Sequence, residues 1–241
     1  MTQRVLIVQH DHCSPPGAVA ERFRERGYEE TLFQIVPEAD FENPGVEVEF
    51  PDVRGFDAIV VMGSYWSAWD DDLIGSWLRP EMEMLREADE AGVPVLGICF
   101  GGQLLARTHG GSVARAPEPE IGFVEVTSER EELAPGGRWF AWHYDRWQLP
   151  PQGVEFARNA MASQGFILRK NLAVQFHPEL SSDVLTGWCD NGGREMLAGM
   201  GRSADDLIAQ ARDWDERGRE RAHAVVDGFL VNVASQEARA S

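Results

Sequence analysis

Short apolar runs alternate with longer amphipathic stretches through the first part of the chain. Val5 to Gln9, Thr31 to Ile35, Ala58 to Met62 and Val95 to Ile98 each end in polar or glycine-rich residues. Runs this short, apolar on both faces and closed by turn residues, read as buried parallel strands. Between them, Ala18 to Arg26 and Leu73 to Ala91 carry helical patterns, the second with Leu73, Trp77, Leu78, Met82, Leu85 and Ala88 on one face. Gly75 and Pro80 weaken the start of that second helix.

The middle of the chain changes character. Strand candidates Val124 to Thr127, Trp139 to His143, Val154 to Arg158, Gly165 to Leu168 and Leu172 to Phe176 follow one another, separated by turn residues such as Pro135-Gly136-Gly137. They predict an antiparallel extension of the same sheet. After Glu179 helical patterns return, with Ser203 as an N-cap for Ala204 to Trp214, then a closing helix from about Arg219 to Val233, and residues 235–241 expected to fray. No linker or internal repeat interrupts the pattern. The expectation is therefore one domain over 1–241, its C-terminal helices from about 203 packed on it. Its fold class is α/β: a flavodoxin-like, doubly wound, mostly parallel sheet with an antiparallel extension and helices on both faces.

Composition narrows the function. With 22 basic against 40 acidic residues and a net charge of -18, the surface is unsuited to neutralising phosphates, so nucleic acid is not an expected partner. No apolar stretch reaches the length of a membrane span, so no membrane association is expected either. Three cysteines, Cys13, Cys99 and Cys189, lack zinc-finger spacing and make an odd number, which points to a reducing cytoplasm with no structural metal. Cys13, in His10-Asp11-His12-Cys13-Ser14, reads as part of a loop and Cys189 as a packing residue. No phosphate-cradling loop of the Walker or ATP-pyrophosphatase kind is present, and no cofactor is implied.

The candidate chemistry begins at Gly97-Ile98-Cys99-Phe100-Gly101. Gly-x-Cys-x-Gly between a strand and a helix has the form of a nucleophile elbow, in which glycines make room for a sharp turn and the reactive side chain is aimed over the sheet. A thiol at a helix N-terminus faces the positive end of the helix dipole, which favours the reactive thiolate. The same residues also suit a small buried thiol in a tight turn, so the pattern alone leaves both readings open. A cysteine nucleophile needs a base, and the base an orienting partner. Gln175-Phe176-His177-Pro178-Glu179 supplies both: a strand leads to His177, Pro178 stiffens the turn, and Glu179 can approach the far imidazole nitrogen.

Together these segments resemble the class I, or triad, glutamine amidotransferases, and most closely stand-alone proteins similar to the glutaminase domain of GMP synthase. The resemblance runs from about Val5 to Leu180. It is anchored at Val60-Val61-Met62-Gly63, at Pro94 to Gly111, at Glu120-Ile121-Gly122, at Trp142-His143-Tyr144-Asp145 and at Gln175 to Glu179. It implies Cys99 as the nucleophile of a γ-glutamyl thioester, His177 as general acid and base, and Glu179 as its orienting carboxylate. It further implies an oxyanion hole from the backbone N–H groups of Gly63 and Phe100. Gln103 would bind the glutamyl end, helped by main-chain groups from Trp142 through Tyr144 to Asp145. Two places depart from the family pattern: Gly63-Ser64-Tyr65 stands for the usual Gly-Gly-Pro, and His143-Tyr144-Asp145 for His-Gly-Asp. Both put larger side chains at the border of the glutamyl pocket. His143 itself reads as a packed structural histidine.

Three functions follow. The first is hydrolysis of glutamine to glutamate and ammonia, the ammonia passing to a synthase partner, since this chain holds no synthase domain. The second keeps the chemistry without the partner, as a γ-glutamyl peptidase or amide hydrolase. The third is a ligand-binding module without turnover.

Overall fold

The computed structural model describes residues 2–235; the predicted fraying of 235–241 lies outside these residues beyond Ser235. In chain order the first half contains β1 (Gln3–Gln9), α1 (Gly17–Glu25), β2 (Tyr28–Gln34), β3 (Ala58–Val61), α2 (Asp71–Ala91), β4 (Val95–Ile98) and α3 (Phe100–Thr108). The second half contains β5 (Ser112–Ser128), β6 (Gly137–Gln148), β7 (Val154–Arg158), β8 (Ser163–Leu168), β9 (Asn171–Val174), α4 (Ser182–Trp188), α5 (Arg194–Gly199) and α6 (Ala204–Phe229). The strands form one nine-stranded sheet in the order β2-β1-β3-β4-β9-β8-β7-β5-β6. From β2 to β9 neighbours are parallel, and from β9 to β6 antiparallel. The fold is the doubly wound, mostly parallel α/β sheet with an antiparallel extension.

Strand periodicity explains why residues 5–8 of β1, and β3 and β4, are apolar throughout, whereas the edge strand β2 leaves Glu29, Glu30 and Gln34 exposed. Leu6, Val8, Ile59, Val61 and Val95 face one layer, with Trp77, Leu78 and Leu85 of α2 and Phe100 and Leu104 of α3. Val5, Ile7, Val60, Leu96 and Ile98 face the other, with Val19 and Phe23 of α1 and Val225, Val226 and Phe229 of α6. Alternate residues of these central segments thus feed two cores, which leaves no room there for a polar side chain. A third cluster gathers Phe140 of β6 with Leu185, Leu197, Leu207, Ile208 and Trp214, seating α4, α5 and the start of α6 on the extension.

Several elements differ from expectation. The predicted weak start of α2 is an intact one: Asp70 caps it by accepting from the Leu73 N–H at 3.2 Å, and the helix runs through Gly75 and Pro80 without a break. Its buried stripe of Trp77, Leu78, Met82 and Leu85 holds what propensity alone does not favour. The two predicted C-terminal helices are a single 26-residue helix. Gly218, within this helix, packs against the Trp214 ring, where a Cβ would sit 2.5 Å from the indole nitrogen. Ser203 caps this helix as predicted, accepting from the Asp206 N–H.

Strand β5 is also far longer than Val124 to Thr127, at 17 residues. Its outer part pairs with β6 around an irregularity between Arg115 and Glu120 that takes up Pro117 and Pro119, residues without a ladder donor. Strand β9 ends at Val174 rather than Phe176, but the chain stays tied as it leaves the sheet, with Gln175 N–H donating to Gln164 O and His177 N–H to Phe140 O. Helices α4 and α5 fall where no helix was predicted in detail, and Asn191 and Gly192 kink the chain between them. Among the described residues, no helix is long and apolar enough to cross a membrane.

Candidate active site

Over the C-terminal ends of β3, β4 and β9 the loops enclose a cavity of about 400 Å³. Ligand clefts of α/β sheets open at these carboxyl ends. The turn from β4 into α3 delivers Cys99, whose backbone is held at φ 49°, ψ -104°, outside the regions open to most residues. The flanking glycines make that turn possible by contact rather than by flexibility. A Cβ at Gly97 would lie 2.6 Å from the Gly101 carbonyl oxygen, and one at Gly101 only 2.2 Å from the Val61 carbonyl oxygen. The chain is further pinned by Cys99 N–H to Val174 O at 2.8 Å and Gly101 N–H to Met62 O at 3.2 Å. Phe100 opens α3, so its N–H has no acceptor within the helix.

His177 and Glu179 arrive from β9. Imidazole Nδ1 lies 2.7 Å from Glu179 Oε1, with both side chains buried. Burial works against the imidazolium, but the carboxylate of Glu179 and the sulfur of Cys99 outweigh it and hold His177 well above its ordinary pKa. Its Nε2 is buried without a partner. The Cys99 thiol instead points to Trp142 O at 3.9 Å and receives the Gln175 amide at 3.5 Å. Gly63 closes the constellation: a Cβ there would stand 3.1 Å from His177 Cε1 and 3.9 Å from Cys99 Cβ. A glycine here lets the loop after β3 approach both side chains closely.

The remaining predicted residues gather around this point. Gly63, Phe100, Gln103, Trp142, Tyr144 and Asp145 all line the cavity with Cys99 and His177, while Glu179 stands behind the imidazole. The buried amide of Gln103 donates to Asp145 O at 3.2 Å and to Gln175 Oε1 at 3.3 Å. Tyr65 and Tyr144, the two large side chains at the departures from the family pattern, both stand on the cavity wall. His143 is buried as expected, with Nδ1 2.9 Å from Asp145 O and Nε2 3.2 Å from the Glu120 carboxylate. Glu120 also accepts from Asn159 and Gln164. Burial disfavours the charged carboxylate, yet His143 and the two amides keep it below the usual range.

The sequence reading missed three features. His10 and Glu81 form a fully buried pair at 3.1 Å beneath the loop after β3, and His10 Nδ1 lies 2.9 Å from Gly63 O. Burial pulls this imidazole down, but Glu81 and the Gly63 carbonyl raise it overall. Separation by 71 positions left no local signal for the pair. Trp188, at the end of α4, packs edge-on to His177 with ring centres 4.8 Å apart. Cys13, read as a loop residue, does lie in a turn, but it also lines the cavity. Burial and the neighbouring Asp11 carboxylate push its thiol far above its ordinary range. Cys189 is packed in the third core cluster.

The chain matches the family profile described as glutamine amidotransferase class-I over residues 16–188. It is 32% identical over 157 residues to gamma-glutamyl peptidase 4 of Arabidopsis thaliana, covering 58% of this chain and 61% of that protein. It is 30% identical over 232 residues to the glutamine-hydrolyzing GMP synthase of Bordetella parapertussis, covering 89% of this chain but 39% of the synthase. This chain therefore spans well under the full length of both relatives. The fold superposes with a TM-score of 0.81 on the crystal structure of a glutamine amidotransferase from Thermotoga maritima, over 98% of this chain and 100% of that one at 23% identity.

Proposed function

This chain belongs to the class I glutamine amidotransferase family, and from that premise we propose that it hydrolyses a γ-glutamyl amide through a thioester on Cys99. The observation that carries this reading is the Nδ1 to Oε1 contact of 2.7 Å between His177 and Glu179, on a turn that meets the strained Cys99 across Gly63. Glu179 orients the imidazole and supports its positive charge, so that Nε2 is left to serve Cys99 and the substrate.

The Cys99 sulfur attacks the γ-carbonyl carbon, forming the C–S bond and placing the negative charge on oxygen. The N–H groups of Gly63 and Phe100 take up that charge, a contribution of about 2.7 to 4 kcal/mol for one such donor. His177 then gives its proton to the departing nitrogen as the C–N bond breaks, and ammonia or an amine leaves. Water attacks the thioester with its proton taken by His177, releasing glutamate and the thiolate. In the resting site the thiol proton has passed to His177 Nε2, the pair of thiolate and imidazolium that the last step restores.

Family membership supports glutamine as the substrate, with ammonia released to a synthase partner. A second reading, a γ-glutamyl peptidase acting alone, draws on the aromatic cavity wall of Tyr65, Trp66, Tyr144 and Trp188, a surface suited to a leaving group bulkier than ammonia. Release of glutamate and ammonia from L-glutamine, measured beside a panel of γ-glutamyl dipeptides on wild-type and Cys99→Ala protein, tests both. Cys99-dependent turnover of glutamine supports the first, turnover restricted to the conjugates the second. Silence on all substrates rejects the hydrolytic reading of the isolated chain.

A further inference from the structure

Gln175 lies outside the cavity wall, on the core side of the nucleophile. Ile98 and Val174 are the last register pair of β4 and β9, and one step beyond them stand Cys99 and Gln175. The backbone is tied at that point by Cys99 N–H to Val174 O. The Gln175 side chain is fully buried, and its amide lies 3.5 Å from Cys99 Sγ. An amide can turn either its nitrogen or its oxygen toward a neighbour, and the partners decide which. The main-chain oxygen of Asp145 only accepts, so the Gln103 atom 3.2 Å from it is the donor Nε2. That same nitrogen lies 3.3 Å from the Gln175 amide, whose facing atom is therefore Oε1. Nε2 of Gln175 is left toward the sulfur, with its N–H donating. Both donors of the Gln103 amide are engaged inside the protein in keeping this order.

Two amides aligned head to tail and aimed at one sulfur form a preset dipole. A neutral thiol gains little from such a donor, whereas a thiolate gains a charge-assisted hydrogen bond. We propose that Gln175 is a catalytic residue that holds the Cys99 sulfur in its charged form, and that Gln103 is the positioning residue that keeps the Gln175 N–H turned to it. His177 meets the sulfur with positive charge, and Gln175 meets it with a neutral donor from the core. A better-held thiolate is less nucleophilic, but nucleophilicity falls with a slope of only about 0.4 to 0.5, so the gain in ionised fraction outweighs it. When the thioester forms, negative charge leaves the sulfur and the contact weakens. It is restored as the C–S bond breaks, which helps the sulfur to depart. This assignment rests on Cys99 as the nucleophile of the hydrolytic reading, but it concerns the sulfur before any substrate binds and is measured without turnover.

The test is the rate of Cys99 alkylation by iodoacetamide from about pH 5 to pH 10, followed by mass spectrometry of the Cys99 peptide. Wild type is compared with Gln175→Met, which keeps the length of the side chain without the donor, and with Gln103→Met, which unties the relay. Both leave the titratable groups around the sulfur in place: His177 with Glu179 behind it, and Cys13, Tyr65, Arg115, His143, Tyr144 and Asp145 along the cavity. Gln175→Met is expected to slow alkylation by about 10- to 100-fold at the acid end. The deficit should close at the alkaline end, where the thiol is ionised in every variant. Gln103→Met should show a smaller deficit of the same shape, and it carries the test if Gln175→Met does not fold. A deficit equal at every pH reduces Gln175 to packing. Unchanged profiles in the variants, or a wild-type Cys99 that reacts only in the alkaline range of a free thiol, overturn the proposal. The acid-selective deficit in a protein that turns over no γ-glutamyl amide would keep the held thiolate and reject the hydrolytic reading instead.

Discussion

The two halves of the sheet do different work with different materials. In the parallel half, β3, β4 and β9 hold Gly63, Cys99 and His177 through backbone geometry: a left-handed φ at Cys99 and glycines whose Cβ positions are already occupied by neighbouring carbonyls. In the antiparallel half, β5 and β6 contribute Trp142, Tyr144, Asp145 and Arg115, side chains that line the cavity on a ladder loosened between Arg115 and Glu120. The proposed reaction thus sits on backbone locked by close contact, and the facing cavity wall stands where side-chain identity can change without disturbing the turn. This division explains how the larger side chains Tyr65 and Tyr144, in place of the family's usual proline and glycine, fit beside the cavity, whereas none would fit at Gly101.

The comparison is broken most directly at the thiol. Cys99→Ala is expected to lower kcat on the best γ-glutamyl substrate by about 10⁴-fold or more, with a thermal midpoint close to wild type. Residual activity near the wild-type level would remove Cys99 from the mechanism. Gly101→Ala should cost about 4 kcal/mol or more in denaturant unfolding, because the new methyl group would stand 2.2 Å from Val61 O. A loss below about 1 kcal/mol would show that the elbow can relax, against the rigidity argued for the parallel half.

Glu179→Gln should lower kcat by about 100-fold or more, since the imidazole loses its orienting charge. It also carries a pH signature. Because the folded pKa of His177 is raised, the stabilisation from its charged form is complete below the unfolded value and is lost as pH rises through the folded one. Removing the Glu179 charge lowers that folded value, so the alkaline limb of kcat/KM should move to lower pH. A limb that stays in place would assign it to another group.

The smallest effect lies away from the cavity, where α6 is tied to α1. Asp227 accepts from Arg22 at 3.0 and 2.7 Å and from Arg26 at 2.7 Å. Burial alone would raise its carboxyl, but the two guanidinium groups push it down to about 2. A lowered carboxylate contributes stability above its unfolded pKa and loses it as pH falls toward the folded value. Asp227→Asn should therefore cost about 1 kcal/mol at neutral pH, and the difference from wild type should close near pH 2. A difference that persists unchanged in acid would point to packing rather than charge.

By itself the sequence determined the parallel half of this protein and the candidate residues of the reaction. Continuous apolar runs identify strands covered on both faces, and a glycine-flanked cysteine and a His-Pro-Glu turn are local patterns that need no distant partner to be recognised. The antiparallel half was legible only in outline. The outer part of β5 is solvent-facing and interrupted by Pro117 and Pro119, so its residues show no hydrophobic alternation to mark a strand. Helix α6 read as two helices because no local signal marks Gly218 as packed against the Trp214 ring. The buried His10 and Glu81 pair and the facing positions of Arg115 and Asp145 were decided by tertiary structure alone. Their meaning depends on register and packing between segments far apart in the chain, which no local spacing encodes.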